Sequence, residues 1–164
     1  MQHDESSNRW RDWLSRNAEK YLLYARQQTR CNADAEDVLQ EALVESWKRC
    51  DGCEPADALV FATIRRRAID LSRANDRRGR REQTDQPAEQ WFAPDVAEWD
   101  TQRALEQAVK NLPPMHAEAV TLKIWGGLSF KEIAETTGVP LNTAASRYRY
   151  GIEALRETLK EALS

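Results

Sequence analysis

The 164-residue sequence contains no apolar run near the roughly 18 residues a membrane helix needs, and residues 1–11 hold no apolar signal-peptide centre. Both absences lead us to expect a cytoplasmic protein without membrane insertion. It has only three cysteines, an odd number that argues against a secreted disulfide scaffold. Cys50 and Cys53 have the two-residue gap of a zinc knuckle, with Cys31 and His3 as conceivable further ligands, but a second spaced pair is missing. Reduced thiols and no metal are therefore expected. The two histidines, His3 and His116, lie in unrelated contexts, and the chain lacks a glycine-rich phosphate loop, a metal-ligand series and a nucleophile motif. The reading is accordingly a protein that is not an enzyme and needs no cofactor. An excess of positive charge is lacking as well: 24 Lys and Arg face 27 Asp and Glu, for a net charge of −3. That balance excludes a uniformly basic protein that coats nucleic acid. Six glycines and six prolines are too few for collagen-like or low-complexity behaviour.

Helical periodicity is abundant, and no alternating strand pattern persists. The expected fold class is all-α. A first helix is predicted over 8–28, with Trp10, Trp13, Leu14, Ala18, Tyr21, Leu22 and Ala25 on one stripe. A second begins at Asp34, read as its N-cap, with Ala35, Val38, Leu39, Ala42 and Ser46 facing inward. A third follows Pro55 and runs over about 56–75. From 83 to 105 Arg103 is the only basic residue against five acidic ones, a charge of −4, and Pro87 and Pro94 interrupt the pattern. This segment reads as an acidic linker between two small helical lobes, with helical pattern resuming over 96–111. The boundaries are 1–82 for the first lobe, 83–105 for the linker and 106–164 for the second lobe.

The second lobe has the clearest local grammar. A helix over 115–125 ends at Gly126-Gly127; Ser129 and Glu132 form a capping box, and Leu128 with Ile133 the matching hydrophobic staple. A short helix over 130–137 is closed by Gly138, and Asn142 is read as the cap of the last helix. Ala145, Tyr148, Ile152, Leu155, Leu159 and Ala162 form its inward seam. Short capped helix, glycine turn and longer helix make a helix-turn-helix.

Three sets of residues are candidates for function. With that seam inward, Thr143, Ser146 and Tyr150 face outward, flanked by Asn142, Arg147 and Arg149, the side-chain types that reach base edges and phosphates. Between residues 65 and 81, Arg65, Arg66, Arg67, Arg73, Arg77, Arg78, Arg80 and Arg81 face only Asp70 and Asp76, a local charge of +6. Arginine's planar fork binds phosphate bidentately and stacks on exposed bases, so this run reads as a polyanion-binding surface. On the outward face of the second helix lie Asp37, Gln40, Glu41, Val44 and Lys48, a polar set with one apolar residue that suits a protein interface.

Ala35-Glu36-Asp37-Val38-Leu39-Gln40-Glu41-Ala42, Trp47 and Arg67-Ala68-Ile69-Asp70-Leu71-Ser72-Arg73 resemble region two of the bacterial extracytoplasmic-function (ECF) sigma factors. Leu112-Pro113-Pro114, Gly127-Leu128-Ser129-Phe130-Lys131-Glu132-Ile133-Ala134 and the stretch from Asn142 through Arg156 resemble region four. The resemblance implies a subunit that directs core RNA polymerase to promoter DNA, with an inhibitory anti-sigma protein as a further candidate partner. It assigns the Asp37, Gln40, Glu41 face to the polymerase clamp helices, the arginine run to the element nearest the start site with its melted strand, and the helix from Asn142 to the upstream element. Arg66 departs from the family's frequent asparagine, and Tyr150-Gly151 from a common Arg-Ala pair. Two other classes compete: a stand-alone helix-turn-helix regulator, which would bind two half-sites without polymerase, and a protein-binding adaptor indifferent to nucleic acid.

Overall fold

In the computed structural model, residues 2–51, 53–78 and 99–162 are described, and all regular structure among them is helical. The helices are α1 (Gln2–Gln28), α2 (Asn32–Arg49), α3 (Asp57–Arg77), α4 (Trp99–Lys110), α5 (Pro114–Ile124), α6 (Phe130–Thr137) and α7 (Leu141–Ala162). The chain divides into two compact units, Met1–Glu89 and Gln90–Ser164. The expected linker up to Glu98, and with it Arg80 and Arg81, lies outside the described residues.

In the first unit α1, α2 and α3 pack on one another around large aromatic side chains. Tyr21, Tyr24, Phe61 and Ile64 are fully buried, and Phe61 meets Tyr21 and Tyr24 edge-on at 5.1 and 5.3 Å. Such edge-to-face pairs bring the positive ring edge to the negative face and add to the area buried. Trp10, Trp13 and Trp47 extend this layer where α1 crosses α2, with Trp10 and Trp47 perpendicular at 4.6 Å. A polar clamp fixes α1 against the start of α3. Tyr21 donates its hydroxyl proton to Asp57 Oδ1 at 2.5 Å and Lys20 Nζ reaches Asp57 Oδ2 at 3.0 Å. Asp57 occupies the first turn of α3, where the helix dipole favours a carboxylate. Burial first, then this hydrogen bond and the carboxylate's charge, push the Tyr21 hydroxyl well above the ordinary tyrosine range.

Two expectations for α2 are corrected. The N-cap of α2 is Cys31, whose thiol accepts from the Asp34 N–H at 3.5 Å, while Asp34 sits inside the first turn. Inside α2 the buried stripe is Ala35, Val38, Ala42, Leu43 and Ser46, so Leu43 takes the place expected of Leu39. Ser46 is completely enclosed; its small side chain lets the neighbouring helices approach.

The second unit is built around Ala108, Val109, Leu112, Ala117, Val120 and Leu155, with Leu105, Trp125, Tyr148, Ile152 and Leu159 packed against them. Pro114 occupies the start of α5, where its missing N–H is no loss. The capping box forms as the sequence predicts: Glu132 N–H donates to Ser129 Oγ at 3.1 Å and Ser129 N–H to Glu132 Oε1 at 3.0 Å. Gly138 ends α6 with φ 71° and ψ 33°, the left-handed geometry that a Cβ disfavours. Leu128 and Ile133 are buried as the staple requires. The last helix begins one residue before Asn142, with Ala144 N–H bonded to Pro140 O at 3.1 Å, so Asn142 lies in the first turn and is not the cap. Its innermost residues are Ala144 and Leu155, with Gly151 also buried, and Ala145 is only half-buried.

Gly151 lies directly against α5. A Cβ built there would lie 2.6 Å from Val120 Cγ2 and 3.2 Å from the His116 carbonyl oxygen. The residue that departs from the usual arginine-alanine pair is thus a packing requirement of this helix pair.

Candidate nucleic-acid and polymerase interfaces

In the first unit, the solvent face of α2 carries Asp37, Gln40, Glu41 and Lys48, all exposed, and Val44 at 43 % exposure. Burying Ala35, Val38, Ala42 and Leu43 forces these residues outward, since a helix turns about 100° per residue. A shallow groove of about 650 Å³ runs along this face between α2 and α3 and is lined by Gln40, Glu41, Val44, Glu45, Lys48, Arg49 and Arg67. Glu45 and Arg49 were not among the residues singled out from the sequence, although Glu45 follows Glu41 by one helical turn.

Along α3 the arginine run does not form one uniform surface. Arg66 donates through Nη2 to both carboxylate oxygens of Glu45. Arg67 donates from Nε to Glu45 Oε2 at 3.2 Å and from Nη1 to Glu41 Oε2 at 2.9 Å. Partial burial alone would raise the Glu45 carboxyl, but the hydrogen bonds and charges of Arg66 and Arg67 outweigh it and hold the group below the ordinary glutamate range. Arg65 is half-buried, whereas Arg73, Arg77 and Arg78 are exposed at the C-terminal end of α3. There Arg77 Nε donates to the Arg73 carbonyl at 3.3 Å, and Asp76 approaches Arg30 at 3.7 Å.

In the second unit α6, the Gly138 turn and α7 form the helix-turn-helix. Asn142 and Arg149 are exposed and Tyr150 is 51 % exposed, while Thr143, Ser146 and Arg147 are half-buried. Tyr150 stacks near-parallel on His116 at 6.0 Å, and the Arg149 guanidinium sits 5.2 Å from its ring centroid. These contacts group an aromatic and a cationic side chain on the exposed face of α7, near the middle of the helix. Among the described residues, Cys31, Cys50 and Cys53 form no disulfide and no group of three or more His, Cys, Asp or Glu is arranged to hold a metal ion. No helix among them is long and apolar enough to cross a membrane.

Two units that are helical throughout their described residues, the second a helix-turn-helix and the first carrying an arginine-rich helix beside a polar groove, have the layout of DNA-binding transcription factors. Comparison with known proteins narrows this. Residues 8–78 match the family described as Sigma-70 region 2, and residues 102–155 match Sigma-70, region 4. The chain is 31 % identical over 164 residues to the RNA polymerase sigma factor CarQ of Myxococcus xanthus, covering 96 % of this chain and 93 % of that one. It is 33 % identical over 144 residues to the ECF RNA polymerase sigma factor SigL of Mycobacterium tuberculosis, covering 84 % and 81 %. The fold is shared with the sigma factor RpoE of Bartonella quintana, solved in complex with the anti-sigma factor NepR, at TM-score 0.72 and 21 % identity over 92 % of this chain and 96 % of that one. It is also shared with CnrH, solved with the cytosolic domain of CnrY, at TM-score 0.61 and 18 % identity over 94 % and 90 %. The chain belongs to the ECF RNA polymerase sigma factors.

Proposed function

We propose that this sigma factor works in the cytoplasm without catalytic chemistry of its own, by joining core RNA polymerase to promoter DNA through surfaces on separate units. Residues 1–82 are the polymerase-binding and strand-holding domain, 83–105 the connecting segment, whose last residues already belong to α4, and 106–164 the duplex-reading domain. Asp37, Gln40, Glu41, Val44 and Lys48 bind polymerase. Arg65, Arg66, Arg67, Arg73, Arg77, Arg78, Arg80 and Arg81 serve the promoter element nearest the start site. Asn142, Thr143, Ser146, Arg147, Arg149 and Tyr150 read the upstream element in the major groove. The observation that carries this reading is the separation of chemistries: a polar groove with one exposed valine on α2, cationic residues exposed at the far end of α3, and a hydrogen-bonding face on α7. Two weak DNA sites gain affinity together only when their spacing is fixed, and polymerase supplies that spacing. An anti-sigma protein is a partner of the same kind as in the complex of the Bartonella relative.

Pull-down and run-off transcription with purified core polymerase test the proposal. The chain should bind core and support initiation from a cognate promoter, and Val44→Asp should weaken core binding while leaving the fold intact. Duplex binding equally tight without polymerase, with two half-sites about one helical turn apart, would instead identify a stand-alone regulator.

A further inference from the structure

Two sets of residues assigned to different partners touch each other. Glu41 belongs to the face offered to polymerase, and Arg67 to the run offered to DNA, yet they are bonded to one another at 2.9 Å. One turn further along α2, Glu45 takes both Arg66 and Arg67. Arg67 also borders a crevice lined by Asp37, Glu41 and Asp70, so carboxylates outnumber guanidiniums around it. A guanidinium binds phosphate with the same planar fork it uses for a carboxylate. A DNA phosphate that takes the Arg66 Nη2 donors, or the Nε and Nη1 donors of Arg67, must displace Glu45 or Glu41.

We propose that Glu41 and Glu45 partly mask Arg66 and Arg67 in the free chain, and that a polymerase residue engaging Glu41 frees the Nη1 donor of Arg67 for the DNA strand. The proposal rests on the sigma-factor reading of these two faces. It turns the neighbouring sites into one coupled pair. Linkage makes the coupling reciprocal: a strand that takes Arg67 frees Glu41 and tightens polymerase binding by the same factor. The exposed Arg73, Arg77 and Arg78, at the other end of α3, carry the residual affinity of the free chain.

The test is titration of a short fluorescein-labelled single-stranded oligonucleotide with the 164-residue chain at fixed salt. Exposed ion pairs of this kind are each worth up to a several-fold change in an equilibrium constant. Glu41→Gln with Glu45→Gln should therefore raise affinity roughly three- to twenty-fold. The charge-matched control, Glu19→Gln with Glu36→Gln, removes two exposed carboxylates from α1 and α2 away from the pairs and should raise it far less. Adding Arg67→Ala should erase much of the gain in the double variant but cost little in the otherwise unaltered chain. Should the double variant melt at the assay temperature, Glu41→Gln alone, which frees only one Arg67 donor, should still give a smaller rise. Equal gains from the two charge-removed pairs, or an equal loss from Arg67→Ala in both backgrounds, overturns the mask. Pull-down of core polymerase by the unaltered chain is read separately: its failure removes the sigma-factor reading, whereas the mask is decided by the oligonucleotide titration.

Discussion

Substituting Gly151 by alanine isolates how closely the last helix must approach its neighbour. Glycine in a helix interior normally costs about 1 kcal/mol relative to alanine, so without tertiary contacts the change would stabilise the chain. Here the new methyl would stand 2.6 Å from Val120 Cγ2, about 1 Å inside normal carbon–carbon contact at roughly 3.5–4.0 Å. Val120 is fully buried and β-branched, so its methyl has almost no rotamer freedom to retreat. The second contact, 3.2 Å to the His116 carbonyl oxygen, is backbone and moves only if α5 moves. Overpacking of this kind costs about 1–3 kcal/mol, and subtracting the propensity gain leaves a net loss of up to about 2 kcal/mol. Urea denaturation followed by circular dichroism measures it. The companion is a double-mutant cycle with Val120→Ala, which removes the methyl that clashes. In that background Gly151→Ala should cost at least about 1 kcal/mol less than in the unaltered chain. Stabilisation by Gly151→Ala alone, or a coupling energy near zero, would refute the close-packing argument.

Two further outcomes follow from local geometry. Ser129→Ala removes the acceptor for the Glu132 N–H and should cost about 0.5–2 kcal/mol, weakening sequence-specific duplex binding by region four in parallel, as a gel-shift assay with the upstream element would read. Stability should also decline at both pH extremes in tyrosine- and glutamate-specific ways. Tyr21 titrates above the ordinary tyrosine value of 10.0 when folded, so its contribution is complete below that pH and is lost progressively as pH rises beyond it; Tyr21→Phe should blunt the alkaline decline. Glu45 titrates below the ordinary 4.5, so its contribution is present above that pH and fades as pH falls through the lowered folded value; Glu45→Gln should flatten that part of an acid titration.

Local signals were the most legible part of the fold. Ser129, Glu132, Gly138 and the Leu128–Ile133 staple act within a few residues of each other, so sequence spacing determines their geometry directly. The cap of α2 escaped notice because Cys31 is outside the usual serine, threonine, aspartate and asparagine set, and a neighbouring aspartate offered the conventional choice. The seam expected on α7 starts at Ala145 and omits Ala144 and Gly151, because near-heptad spacing gives no weight to a glycine whose burial depends on the position of Val120 in another helix. The candidate surfaces on α2 and α3 were each visible as composition. Their ion pairs were not, because the pairing of Glu41 and Glu45 with Arg66 and Arg67 depends on the relative register of two helices joined by a turn, and no spacing along the chain encodes that register.

The tryptophan layer has an optical consequence. Trp10, Trp13 and Trp47 lie within 4.6–5.5 Å of one another, and Trp47 is adjacent in sequence to Lys48 on the groove face of α2. Indoles this close exchange excitation energy, and their coupling gives the first unit an exciton signature in the near ultraviolet that depends on how the three rings are oriented. Sliding of α1 on α2 changes that signal without any attached dye, so the docking of a partner against α2 can be followed in the native chain by its own fluorescence and dichroism.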